Sequence, residues 1–169
     1  MKHVKKSVLL WYSPREMYEL VVGVERYPEF LPWCERAEVL EDKAEPQADG
    51  ILVETVMARL HMAYAGVRHA FSTRNTHSLN RRVDMQLVDG PFSMLEGGWQ
   101  FLPLNKPGTL TSASDAAEEQ ALACKIEFEL RYAFSSAALE AVVSPVFDRV
   151  ANTLVERFVQ RAEAVYGPR

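Results

Sequence analysis

Cysteine is nearly absent. Cys34 and Cys124 are the only two in 169 residues, and they stand far apart. Such a pair builds neither a disulfide framework nor a zinc site, and it suits a reducing compartment. Histidine is also scarce, at His3, His61, His69 and His77. The last three are evenly spaced, but on one extended strand each step spans about 27 Å, too far for shared metal ligation. Positive charge is not in excess. The net charge of −4 excludes a general field for nucleic acid. Long apolar runs are missing too. Val8 to Tyr12 is too short for a signal-peptide core, and nothing approaches a membrane span, so a cytoplasmic protein is expected. No nucleophile elbow, phosphate loop or dinucleotide fingerprint occurs. Gly97-Gly98 is too little for a phosphate loop and reads as a β-bulge.

What is present is a long amphipathic stretch at the C-terminus. From Ser136 to Tyr166, apolar residues recur every three or four positions, at Leu139, Val142, Val143, Val146, Phe147, Val150, Leu154, Phe158, Ala162 and Val165. This period predicts a helix with one buried face, roughly 45 Å long. Glu140, Asp148, Arg149, Glu156, Arg157, Arg161 and Glu163 fall mostly on the wet side. Pro145 predicts a kink or a fresh start, with Ser144 capping the restarted helix. So long an apolar face needs a broad surface to lie on.

The rest of the chain reads as that surface. His3–Tyr12 is a first strand. Ser13-Pro14-Arg15-Glu16 carries the marks of a helix start: a cap, a proline at the first position and a capping-box glutamate. Gly23 ends this short helix, and a second helical turn follows between Pro28 and Pro32. Strands are then expected over 35–44, 51–64, 67–77, 81–88 and 94–103, with turns at Gln47–Gly50, Gly66 and Asp89–Pro91. Asn105–Ala121 is small, polar and acidic, and reads as a long surface loop. The last strand is the clearest. Leu122, Cys124, Ile126, Phe128, Leu130, Tyr132 and Phe134 alternate with mostly charged residues. The order implies one α+β domain over 1–169: a curved antiparallel sheet of about seven strands, two short helices after the first, and a long terminal helix over the apolar face.

Tyr27, Phe30, Leu31 and Trp33 are an unusual concentration for a connector. They either plug one end of the core or form a mobile lid at the mouth of a cavity. A curved sheet under one helix often leaves a gap suited to apolar ligands. With Phe92, Trp99 and Phe101, the aromatics of this stretch offer surfaces on which a ring packs. Asp89, Glu96, Arg74 and Tyr64 are the residues that would move protons if they faced such a cavity, but a turn and a wet face account for them better. The short clusters Lys2, Lys5, Lys6 and Arg81, Arg82 read as solvated faces rather than nucleic-acid contacts.

Several ordered motifs carry a resemblance. Tyr27-Pro28-Glu29-Phe30-Leu31-Pro32-Trp33-Cys34 resembles the signature of START-like coenzyme Q-binding proteins. Phe71–Asn75, Leu87–Phe92, Gly98–Phe101, Cys124–Phe128 and the tail from Phe147 to Tyr166 match in the same order, over almost the whole chain. The resemblance implies a helix-grip fold, a tunnel for ubiquinone or a similar polyprenyl quinone, no cofactor and no catalysis. Candidate ligand contacts are then Tyr27, Phe30, Leu31, Trp33, Phe92, Leu95, Trp99 and Phe101, with Val146, Val150 and Leu154 on the helix. Transient contact with the inner membrane goes with a quinone ligand. Bacterial members are called ribosome association toxins, which implies the large ribosomal subunit as an alternative partner. A polyketide cyclase-like enzyme is a third class on this fold. It requires polar groups converging in the cavity, and none stands at legible spacing.

Overall fold

The computed structural model describes residues 1–46, 52–106, 109–110 and 122–169. Strand β1 (Lys2–Leu10) leads into helix α1 (Pro14–Val22), whose start is decided locally. The Ser13 side chain accepts from the Glu16 backbone, the Glu16 side chain accepts from the Ser13 backbone, and Pro14 occupies the first turn. Gly23 closes α1, and a 3-10 helix (Val24–Glu29) follows with Pro28 inside it. Then come β2 (Cys34–Pro46), β3 (Leu52–Tyr64), β4 (Val67–Ser78), β5 (Arg82–Asp89), β6 (Phe92–Lys106), β7 (Thr109–Leu110) and β8 (Ala123–Phe134). Helix α2 (Ala137–Tyr166) ends the fold.

All strand pairings are antiparallel, in the order β1-β8-β6-β5-β4-β3-β2, with β7 beside β6. One face of the sheet is closed by α2, as in the helix-grip fold. Val143, Phe147, Phe158 and Ala162 of the helix meet Phe71, Trp99, Phe128 and Tyr132 of the sheet in one continuous apolar core. Interlocked rings dominate it, with Phe147 lying 4.7 Å from Tyr132 and 4.8 Å from Phe92. Among the described residues, no helix is long and apolar enough to cross a membrane.

Four expectations change. First, Gly97-Gly98 is not a bulge. The β6–β8 register runs unbroken through Gly97↔Leu130 and Gly98↔Glu129, and the irregularity lies at Phe92/Met94. Second, helix α2 does not restart at Pro145. Its cap is Ser136, and one helix runs through the proline. The carbonyl that loses its donor belongs to Ala141, which is exposed to solvent, so the loss is tolerated. Third, part of the expected loop at 105–121 is strand, in β6 and β7; residues 107–108 and 111–121 lie outside the described set, as does the expected turn at Gln47–Gly50. Fourth, Asp148 does not belong to the wet side of α2. It ion-pairs with Lys2 of β1 and accepts hydrogen bonds from Tyr132 of β8 (2.6 Å) and from Ser144 (3.0 Å).

This last cluster ties both strands to the helix and makes stability pH-dependent. Partial burial acts to raise the Asp148 carboxyl pKa, but the hydrogen bonds from Lys2, Tyr132 and Ser144 outweigh it and hold the pKa below the usual carboxylate value. Because folding lowers this pKa, the stabilisation is complete above the unfolded value of about 3.9 and is lost as pH falls through the folded one. Asp148→Asn is therefore expected to cost about 1–2 kcal/mol near neutral pH, solvent screening at Lys2 keeping the figure small. Urea melts from about pH 7 down to about pH 3 should show the two proteins converging in acid. A gap that stays constant with pH would disprove the role of the ionised carboxylate.

Candidate functional site

Between the sheet and α2 lies a cavity of about 70 Å³. Strands β3 to β6 and β8 supply Ala58, Leu60, Phe71, Thr73, Asn75, Met85, Leu95, Trp99, Phe128 and Leu130; α2 supplies Phe147, Val150, Ala151, Leu154 and Phe158. Val24 and Tyr27 of the 3-10 helix, with Trp33 in the turn beyond it, close the cavity. No charged side chain lines it. Pockets that hold a drug-sized ligand measure about 300–1,000 Å³, so a large guest enters only if part of the wall moves.

Six of the eleven expected contacts line this cavity: Tyr27, Trp33, Leu95, Trp99, Val150 and Leu154. The other five do not. Phe92 is absorbed into the aromatic cluster with Phe71, Phe134 and Phe147. Phe101 stacks beside Trp99 and meets the edge of Tyr18, further along β6. Val146 faces a shallow surface depression with Pro32, Tyr64, Arg149 and Arg157. Leu31 is 1% exposed and serves as a core plug. Phe30 is half-buried on Tyr27 and Phe158, with the Arg161 guanidinium 5.0 Å above its ring. In this stretch Leu31 is the anchor, and Phe30 with Tyr27 covers Phe158.

Phe71, Thr73 and Asn75 escaped sequence reasoning. They alternate along β4 and face inward, but Ser72 and Arg74 between them are polar as well. No hydrophobic alternation marks the inner face, and period two inward from Phe71 was the available signal. Thr73 Oγ1 donates to Asn75 Oδ1 at 2.8 Å inside the cavity wall.

The remaining polar candidates do not converge. Asp89 pairs with Arg59 at 3.3 Å, Arg74 is exposed, Tyr64 lies at the outer depression and Glu96 faces the convex side. That convex side carries an open trough of about 500 Å³. Its charges are of both signs and largely pair with each other, as Arg82 does with Asp84 (2.8 Å) and Arg131 with Glu129 (3.0 Å). Three histidines sit against carboxylates: His3 on Glu129, His61 on Glu38 and His77 on Glu54. Among the described residues no three His, Cys, Asp or Glu side chains gather as a metal site would require. Burial pushes the thiol of Cys34 up to about 11 and that of Cys124 up to about 12, so both stay protonated and unreactive.

The grip of sheet on helix around an apolar cavity agrees with comparison to known proteins. Residues 10–159 match the family described as polyketide cyclase / dehydrase and lipid transport. The chain belongs to this family. A ribosome association toxin, RatA, of Pseudomonas aeruginosa is 36% identical over 98% of both chains. A mitochondrial coenzyme Q-binding protein, COQ10 homolog B, of Xenopus laevis is 27% identical over 96% of this chain and 58% of its own length. The solution structure of an 18 kDa protein from Caulobacter crescentus superposes with a TM-score of 0.63 at 29% identity, covering 99% of this chain and all (100%) of that one. Relatives of this family member are thus named as a toxin and as a binding protein, while the family description also includes cyclases.

Proposed function

We propose that the chain is a non-enzymatic carrier of an apolar small molecule, and that this molecule is a polyprenyl quinone such as ubiquinone. The uncharged, aromatic-rich cavity between sheet and helix carries the reading. A coenzyme Q-binding relative supports the choice of ligand. The cover of Tyr27 and Phe30 is the part able to move, since Tyr27 belongs to a single short 3-10 helix and Phe30 lies just beyond its end. Exposed by that motion, Phe30 suits a lipid interface, so loading takes place at the inner membrane and the loaded protein is cytoplasmic. Organic extraction of the purified protein, followed by mass spectrometry, is expected to release quinone. Neither bound quinone nor uptake of added quinone would overturn the reading.

A second reading rests on the full-length toxin relatives at 34–36% identity: binding to the large ribosomal subunit, which blocks subunit association. The convex face mixes acidic with basic residues and offers little to RNA phosphates. Cosedimentation of added protein with large subunits on a sucrose gradient would favour this reading, and its absence would remove it.

A further inference from the structure

A polar atom buried in an apolar wall needs a partner. Among the described residues two buried side-chain nitrogens have none, Trp33 Nε1 and His77 Nε2. His77 lies beyond the cavity, held by Glu54 at 2.9 Å and packed against the edge of Tyr18. Trp33 lines the cavity, although only 6% of its surface is exposed. A second nitrogen joins it there. Asn75 is equally buried, and its amide oxygen accepts from Thr73. That bond orients the amide, with its NH₂ at the opposite end from the accepting oxygen.

Both groups are donors, and neither an indole N–H nor an amide NH₂ accepts. No cation or carboxylate lines the cavity, so a charged guest would be buried without a counter-charge. The wall is thus apolar surface with two N–H donors and no opposing charge. We infer that Trp33 Nε1 and Asn75 Nδ2 form a recognition site for the acceptor oxygens of a neutral, carbonyl-bearing apolar ligand. This rests on the carrier reading and adds the ligand chemistry: oxygen acceptors on the ring, not merely a greasy tail, select the guest. Trp33 also borders the outer depression beside Tyr64 and Arg157, so the first donor stands at the boundary between cavity and surface.

Equilibrium dialysis with two probes tests this. One is decyl-ubiquinone, with carbonyl oxygens on its ring; the other is an alkylbenzene with the same tail and no oxygen. The wild-type protein is expected to prefer the quinone by about tenfold or more, the worth of one or two hydrogen bonds to these donors. Trp33→Phe and Asn75→Leu should each remove about tenfold of that preference, read as the ratio of the two affinities in the same protein. Equal wild-type affinity for both probes would overturn the donor site while leaving the carrier intact. So would variants that keep the full preference. Failure of the wild-type protein to bind either probe would overturn the carrier reading and the inference together. The wild-type comparison needs no variant to fold.

Discussion

Gly97→Val is expected to abolish folding, and Gly97→Ala to come close to it. Gly97 sits in the middle of β6, opposite Met85 of β5 on one side and Leu130 of β8 on the other. A Cβ placed there would lie 2.1 Å from the Glu129 carbonyl oxygen and 2.9 Å from Leu130 Cα. Both are backbone atoms of a hydrogen-bonded strand, so neither moves unless the ladder opens. The demand comes from close strand approach and not from the backbone angles, because Gly97 does not adopt the left-handed region. The expected loss exceeds about 4 kcal/mol, beyond the range of ordinary substitutions. Gly66 supplies the contrast. It has φ +82 in the β3–β4 turn, with open space around its Cβ position. Gly66→Ala should cost only about 1–2 kcal/mol of backbone strain. Thermal melts of the soluble fractions compare the two. A soluble Gly97→Val protein that melts cooperatively near the wild-type temperature would refute the close-approach account.

Phe158→Ala is expected to lower stability by about 3–5 kcal/mol and to turn the small cavity into a binding site for small apolar guests. Phe158 is 1% exposed and joins the three parts of the fold. Its ring lies 5.1 Å from Trp99 of the sheet, 5.5 Å from Tyr27 and 5.1 Å from Phe30 of the cover. Removing it takes away the contacts that hold the cover down and adds the volume of a ring to the existing 70 Å³. A dry cavity of about 150 Å³ accepts benzene, a size the enlarged site reaches and the native one does not. Benzene should therefore raise the melting temperature of the variant by more than that of the wild type, because it binds the folded state alone. A small loss of stability, or equal response of both proteins to benzene, would show that the cover is held elsewhere.

The expected contacts on β6 show what a strand pattern leaves open. Alternation places Leu95, Trp99 and Phe101 on one face, and that much is local. Whether a residue lines the cavity depends on how far along the strand α2 crosses, which alternation does not encode. Trp99 and Leu95 line the gap, and Phe101 lies beyond it against Tyr18. The same limit explains Gly97-Gly98. Two glycines in a strand are compatible with a bulge or with close approach of a neighbour, and only the register of β8 against β6 decides between them.

By itself, the sequence determined what short-range physics controls. The Ser13 capping box, the alternation in β8 and the helical period of α2 each rest on residues within a few positions of one another. So does the order of strands joined by short turns, and hence a sheet gripping a terminal helix. Tertiary structure alone decided what depends on residues distant in the chain. It drew Asp148 to Lys2, set Phe158 under Tyr27 and Phe30, and placed the polar residues Thr73 and Asn75 in an apolar wall. The physical reason is that burial and hydrogen-bond satisfaction are set by which surfaces meet. A polar strand such as β4 carries no hydrophobic alternation to mark the face it will turn toward the helix.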